Sequence, residues 1–344
     1  MLSCLEFIRR TALALLVLAC SSPLVAHTRF EFSEVAMGVR ARIVLYAKDE
    51  PTAQSAARAA YDRVAALEDI MSDYRATSEL SRLSASAGGP AVDVSPELFY
   101  ILTKSQELSR RSDGAFDVTV GPLVKLWRTA RKSGKLPSKS ELDAARRLVG
   151  WRKLHIEPEP STPTALSRPG PGAVSKGGQT STAGTARLDT PGMLLDLGGI
   201  AKGYACDEAI RVLRKQGISS ALVEMGGDIV VSDAPPGKKG WEIEIENAPD
   251  PARKVVTLAN RAVSSSGDTE QFVEIEGKRY SHIVDPRTGL GLTDRVAVTV
   301  IAPNGITSDG ITSDGLSTAI SVLGAKRGKT LARAYKGVSA YIRA

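Results

Sequence analysis

Cysteine is scarce in this chain: 344 residues contain three, Cys4, Cys20 and Cys206. The first two fall in an N-terminal leader, so Cys206 has no partner and a disulfide framework is excluded. Cys206 reads instead as a small buried residue on a helix. Long apolar runs are missing too. The candidate at Thr11–Cys20 is too short to span a bilayer comfortably and has the length of a signal h-region. Charge of one sign is not in large excess. The net charge is +7, of which Arg9, Arg10 and Glu6 supply +1, leaving +6 for a processed chain. That mild excess, spread over many positions, suits an anionic small ligand or an anionic membrane surface and falls short of a nucleic-acid stripe. Histidine stops at His27, His155 and His282, which leaves few imidazoles for proton transfer near neutral pH.

What is present is ordinary for a globular protein, with 42% hydrophobic and 24% charged residues and length for one large or two medium domains. Arg9-Arg10 before the apolar run makes residues 1–26 a targeting segment. Val17-Leu18-Ala19-Cys20 is similar to a lipoprotein box, which would lipidate Cys20 and tether the chain to a membrane. Leu24-Val25-Ala26 would serve an ordinary signal peptidase. Both readings imply export, and residues 27–344 form the remaining domain.

Along that domain, Arg29 to Ala47 alternates as a strand broken at Met37-Gly38 by a turn or bulge. Ala53 to Met71 is an amphipathic helix, and Ser95-Pro96-Glu97 opens another with a serine cap. An apolar helix follows through Leu123 and Trp127, then a short one over Glu141 to Val149. Residues 157–190 are rich in Pro, Gly, Ser and Thr with hardly any large apolar side chain, which reads as a mobile surface insertion between two strands. Strands recur at Trp241–Glu246, Arg253–Leu258, Phe272–Ile275, Val296–Ala302 and Val338–Ile342. A direct repeat, Ile306-Thr307-Ser308-Asp309-Gly310 and Ile311-Thr312-Ser313-Asp314-Gly315, precedes a helix expected over Leu316–Leu323.

The chain is organised around Met193 to Asp228, which reads as strand, glycine turn, helix, strand and glycine turn. Met193, Leu194 and Leu195 form a short buried strand, and Gly198-Gly199 permits close backbone approach. Lys202 sits at the start of the following helix, where free N–H groups favour an anion and a cation is poorly placed. Such a lysine has another task. Asp314 and Thr318 are four residues apart at a helix start, on one face, and offer hard oxygens suited to Mg²⁺. Read alone, Asp314 is a simple N-cap. Asp228 and Asp285 read as turn-shaping residues.

Seven runs occur together in order: Met37-Gly38; Tyr74-Arg75 with Ser78-Glu79-Leu80-Ser81; Asp113-Gly114-Ala115-Phe116-Asp117-Val118-Thr119; Asp196-Leu197-Gly198-Gly199-Ile200-Ala201-Lys202-Gly203-Tyr204-Ala205; Glu224-Met225-Gly226-Gly227-Asp228; His282-Ile283-Val284-Asp285-Pro286-Arg287-Thr288-Gly289; and Asp314-Gly315-Leu316-Ser317-Thr318-Ala319. Together they resemble the periplasmic FAD:protein FMN transferases, also known as thiamine-biosynthesis lipoproteins. The resemblance implies an α/β (α+β) fold, with a mainly antiparallel sheet, packed helices and two lobes around a FAD cleft. It implies a Mg²⁺-dependent reaction in which FAD is the substrate, AMP leaves, and FMN is joined as a phosphoester to a Ser or Thr of a partner. That partner is a flavin-accepting protein, by resemblance a respiratory membrane flavoprotein, with the acceptor hydroxyl near Gly-Ala.

The same resemblance places Met37, Tyr74, Ala115, Phe116, Asp117, Asp196, Lys202 and Ile283 against FAD. It gives the metal to the Gly199 carbonyl, Asp314, Ser317 and Thr318, with Asp309 left as loop, and the target hydroxyl's proton to His282. Tyr74 would stack on a ring of FAD. Two other functions remain compatible with these residues. One is a Mg²⁺-dependent FAD pyrophosphatase, in which water replaces the acceptor hydroxyl. The other is an exported flavin-binding protein without turnover.

Overall fold

Two consecutive residues with positive φ, Met37 at 50° and Gly38 at 74°, close the first hairpin, so the interruption is a tight turn. It joins β1 (Thr28–Ala36) to β2 (Val39–Ala47) in the register Ala36 to Val39. The computed structural model describes residues 27–159, 183–245, 254–267, 272–294, 296–303 and 309–343. The expected leader with its two candidate processing sites, the centre of the 157–190 stretch and Ile306–Ser308 of the first repeat copy lie outside the described residues.

After the hairpin come α1 (Glu50–Met71), α2 (Glu79–Ala85), β3 (Val92–Val94), α3 (Pro96–Arg111), α4 (Gly121–Ser133) and α5 (Lys139–Arg147). Their starts are local chemistry. Asp49, Ser78, Ser95 and Ser138 each accept a first-turn N–H, and Glu141 completes a capping box with Ser138. Then follow β4 (Leu154–Pro158), β5 (Gly184–Leu188), α6 (Ala201–Lys215), β6 (Ala221–Met225), β7 (Asp228–Val231), β8 (Trp241–Glu244), β9 (Val255–Leu258) and β10 (Arg261–Ser266). The chain finishes with β11 (Phe272–Ile275), β12 (Lys278–Ser281), β13 (Ala297–Pro303), α7 (Asp309–Arg333) and β14 (Ser339–Arg343).

The main sheet has the order β1-β2-β6-β7-β10-β13-β14, and every neighbouring pair is antiparallel. One face carries α1, α6 and α7 over a core that includes Leu45, Leu67, Tyr204, Val223 and Ile320. The α/β class with an antiparallel core is therefore the observed fold. A smaller lobe is built separately: α4 and α5 pack with the β11–β12 hairpin around Leu123, Trp127, Ile275 and Tyr280. The Trp127 indole donates to the Gly289 carbonyl at 2.8 Å, tying this lobe to the loop after β12.

Three expectations change. The ends of the 157–190 stretch are strand, because Ala186 and Leu188 alternate inward along β5 and pair with β4. Met193 and Leu195 are buried, yet the run makes one isolated bridge, Leu194 to Val120, and Gly121 at the start of α4 lies directly against the Leu194 carbonyl. The last helix begins at Asp309 rather than Leu316. The Asp207 carboxylate on α6 accepts the Gly310 and Ile311 N–H groups at 3.1 and 3.2 Å, so the second repeat copy is already helical. Asp314 is thus an interior residue of α7 and not its N-cap. The expected end at Leu323 corresponds to a break inside α7 at Gly324, where φ is 72°.

Candidate active site

Backbone contact between two helices builds the site. A Cβ on Gly203 of α6 would lie 2.1 Å from the Gly310 carbonyl, and one on Gly310 would lie 2.3 Å from the Gly203 carbonyl. Only glycine at both positions lets α6 and α7 touch this closely. The crossing brings the Gly203 N–H to the Asp314 carboxylate at 3.0 Å and sets Lys202 beside it. The Lys202 ammonium is 2.8 Å from the Asp228 carboxylate, at the head of β7, and 3.7 Å from that of Asp314. The misplaced first-turn cation therefore has its task. It bridges two buried carboxylates, which are 3% exposed at both Asp228 and Asp314.

One ammonium does not balance two carboxylates. Burial, and then the neighbouring Asp228 charge, push the Asp314 carboxyl up to about 7. Burial opposes charge on Lys202, but Asp228 and Asp314 outweigh it and hold its pKa above the ordinary lysine value. Asp228 was read as turn-shaping; the structure makes it a member of this cluster. The sequence signal was the position of Asp228 after Gly226-Gly227, which read equally well as a turn.

Thr318 follows Asp314 by one helical turn and faces the glycine turn. Its Oγ1 is 3.0 Å from where a Gly199 Cβ would be, so a side chain at Gly199 would displace it. The donor set around Asp314 fits a hard cation such as Mg²⁺: buried carboxylates with an uncompensated charge, a hydroxyl and a glycine backbone. Among the described residues no three His, Cys, Asp or Glu side chains converge. A metal here would thus draw its other oxygens from hydroxyl, backbone, water and substrate. Ser317, expected in the metal set, is held against β10. Its hydroxyl donates to the Asp314 carbonyl at 2.9 Å and contacts Ser266 Oγ at 2.6 Å. One turn earlier Ser313 contacts Ser264 at 2.8 Å. This buried serine ladder fixes α7 against β10, and the sequence reading missed it because Ser264-Ser265-Ser266 carries no motif.

On the other side of the glycine turn, Asp196 accepts the Gly198 N–H at 2.8 Å and the Arg128 guanidinium at 3.1 Å. Burial and then Asp73 raise the Asp196 carboxyl above the usual range. Arg128 also pairs with Asp73 and lies 4.1 Å from the Tyr74 ring centre. Tyr74 is 78% exposed, so it is not the half-buried packing residue its helix-end position allows. One face is backed by the guanidinium. Nothing in the sequence singles out Arg128, since its partners, Asp73-Tyr74 and Asp196, lie 54 or more residues away in two separate segments.

Asp117 is buried, and burial pushes its carboxyl up even though it accepts hydrogen bonds from Thr119 N, Thr119 Oγ1 and Trp151 N at 2.7–2.8 Å. That carboxylate shapes the loop, leaving Ala115 and Phe116 buried beside it. Ala115 packs with Ile283 and Val322, which brings two expected FAD contacts together. His282 is half-buried directly before Ile283, where β12 runs out into the Asp285-Pro286 turn. The Asp285 carboxylate holds that turn through the Arg287 N–H at 2.9 Å and its guanidinium, as expected for a turn-shaping residue. Met37 lies in the turn of the first hairpin, its N–H on Glu68 at 3.2 Å. Cys206 is buried, and burial raises its thiol well above the usual value, as an inert core cysteine.

These features define a class: an α/β protein whose helix crossing presents a cation-demanding carboxylate pair and a lysine beside a glycine turn, as phosphate chemistry requires. The sequence model of the ApbE family matches residues 37–342, and the chain belongs to that family. It is 32% identical to the FAD:protein FMN transferase of Vibrio cholerae over 78% of this chain and 73% of that protein. The corresponding protein of Treponema pallidum is 31% identical over 90% and 82%. Among solved structures, the apo flavinyl transferase ApbE of Pseudomonas stutzeri superposes with a TM-score of 0.73 at 30% identity, covering 92% of this chain and 91% of that one. The flavin transferase ApbE of Vibrio cholerae gives 0.72 at 30% identity, covering 91% and 93%.

Proposed function

We propose that this protein is an FAD:protein FMN transferase. It divides FAD at its diphosphate, releases AMP, and joins FMN to a serine or threonine hydroxyl of a partner flavoprotein. The observation that carries this reading is the Lys202 bridge between Asp228 and Asp314 beneath the Gly198-Gly199 turn. It offers a fixed positive charge to a diphosphate and an unneutralised carboxylate to a divalent cation.

Asp314, Thr318 and the Gly199 carbonyl would hold Mg²⁺. When bound, that ion supplies charge neutralisation across the phosphates. Lys202 meets the diphosphate as a point charge, and Tyr74 offers its free face to a ring of FAD. Ala115, Phe116 and Ile283 line the flavin side, with Met37, Asp117 and Asp196 at its edges. The acceptor oxygen forms a bond to the FMN phosphorus as the bond from that phosphorus to the AMP oxygen breaks. AMP departs with the electron pair, and His282 takes the hydroxyl proton. The leader pattern supports export to the periplasm, with a lipid anchor at Cys20 as the expected attachment to a membrane; among the described residues no helix is long and apolar enough to cross one. A respiratory membrane flavoprotein is the expected partner.

The test mixes protein, FAD, Mg²⁺ and an acceptor domain. Flavin fluorescence on the acceptor band after denaturing electrophoresis, with one AMP per flavin, is the expected result. FMN and AMP without a labelled acceptor would instead identify a pyrophosphatase. FAD binding with no AMP at all would identify a carrier.

A further inference from the structure

The basic excess, expected to be spread over many positions, is concentrated in one stretch. Residues 121–153, covering α4, α5 and their connections, contain ten Lys and Arg against two acids, a net +8, while the whole chain carries +7. The rest of the chain therefore nets −1. The β11–β12 hairpin and following loop in the same lobe, residues 272–294, add three cations and four acids and leave the lobe strongly basic.

This charge lies on the surface and starts at the site. Arg128, backed onto Tyr74 and paired with Asp196, is the inner end. Lys125, three residues before it, and Arg131 and Lys132, three and four after, share its helical face and are exposed. Lys135, exposed just beyond the Gly134 cap, extends the stripe outward. Arg128 is neutralised by Asp73 and Asp196, and Lys139 and Arg146 lean on Asp143. Lys125, Arg131, Lys132 and Lys135 have no ion-pair partner among the described residues. Cations in the last turn of a helix answer its dipole, which accounts for Arg131 and Lys132. Neither Lys125, in the second turn, nor Lys135, beyond the helix, has that explanation.

We infer that the outer face of α4 is the docking surface for the flavin-accepting protein, which meets it with an acidic surface. The inference rests on the transferase reading, because only then must a macromolecule reach the site. A protein fits better than a lipid surface: the stripe ends at Tyr74 and Asp196, and a bilayer laid on it would cover the place where the acceptor hydroxyl has to enter. Complementary charge raises encounter rates and sets orientation, and screening by salt weakens both.

The probe is one carrier protein displaying a Ser/Thr-Gly-Ala acceptor segment, made with an acidic Asp/Glu tail and with a neutral Gly/Ser tail. The enzyme variants are Lys125→Glu/Lys132→Glu/Lys135→Glu and the milder Lys125→Gln/Lys132→Gln/Lys135→Gln, all at exposed positions. Wild type should label the acidic-tailed carrier with a KM roughly tenfold lower than the neutral one, an advantage that fades with added salt. The Glu variant should lose that advantage and the Gln variant lose part of it. FAD affinity by flavin fluorescence, kcat and melting temperature should stay at wild-type values. Equal KM for both carriers in wild type, or a Glu variant with unchanged preference, overturns the docking face alone. Loss of binding to phosphatidylglycerol vesicles with unchanged carrier KM assigns the face to a membrane and also overturns it. A wild type that labels neither carrier while releasing AMP from FAD sinks the transferase reading, and this inference with it.

Discussion

Two buried charge clusters share helix α6, six residues apart, and they differ in balance. In one, Arg63 donates to Glu208 at 2.8 and 3.0 Å and to Glu97 at 2.9 Å, and Arg211 also pairs with Glu208. Two cations meet two carboxylates, and all four charges interlock α1, α3 and α6. In the other, Lys202 alone faces Asp228 and Asp314, and one carboxyl is driven up to about 7. Burial is similar in both. The comparison teaches that burial and pairing do not mark a functional site; an imbalance maintained inside the protein does, because it stabilises an incoming cation.

The strongest way to break the comparison is to remove the charge that creates the imbalance. Asp314→Asn should lower flavin transfer by at least ~10²-fold, the scale of losing a preorganised electrostatic contact, without lowering the melting temperature, since Asp228 then has Lys202 to itself. A variant that retains wild-type AMP release would end the assignment of the metal and diphosphate to this cluster. The balanced cluster should fail in the opposite way. Arg63→Ala strands the buried Glu97 and leaves Glu208 with Arg211 alone, and should reduce stability by about 3–5 kcal/mol in urea titrations, while kcat per folded molecule is unchanged.

Gly203→Ala tests the crossing that both helices depend on. Its Cβ would meet the Gly310 carbonyl, so the helices must part, at a cost of about 1–3 kcal/mol. Transfer activity should fall further than stability accounts for, because Lys202 and Asp314 move apart. Ligand addition sharpens the same contrast. Mg²⁺ at about 100 times its Kd should stabilise wild type by about 2.7 kcal/mol, read as a higher melting temperature that chelation reverses, and should leave Asp314→Asn unmoved. The smallest effect belongs to the rim. Arg128→Gln removes the support behind Tyr74 and should raise the FAD KM severalfold with kcat preserved, the scale of one cation–π contact of about 1 kcal/mol. An equal drop in kcat would make Arg128 part of the chemistry instead.

Much of this was open to sequence reading because it is local. The cap at Ser95, the Met37-Gly38 turn and the strand alternations are set by residues a few positions apart, and each lies where its pattern places it. Lys202 was legible as an anomaly, a cation at the wrong end of a helix, and Asp314 and Thr318 as a one-turn pair of oxygens. Asp228 reads as turn-shaping from sequence, since a carboxylate after two glycines serves a turn equally well. The start of α7 was misplaced because its cap, Asp207, lies on another helix.

The sequence by itself determined the elements, the antiparallel class, the family and the residue types its chemistry requires, since these follow from periodicity, turn chemistry and short motifs. Tertiary structure alone decided which carboxylates share the lysine, which serines tie α7 to β10, and which arginine backs the exposed tyrosine. Those are matters of position between segments some 26 to 112 residues apart in the chain, and the field at a buried site depends on distance and dielectric, which no local pattern encodes.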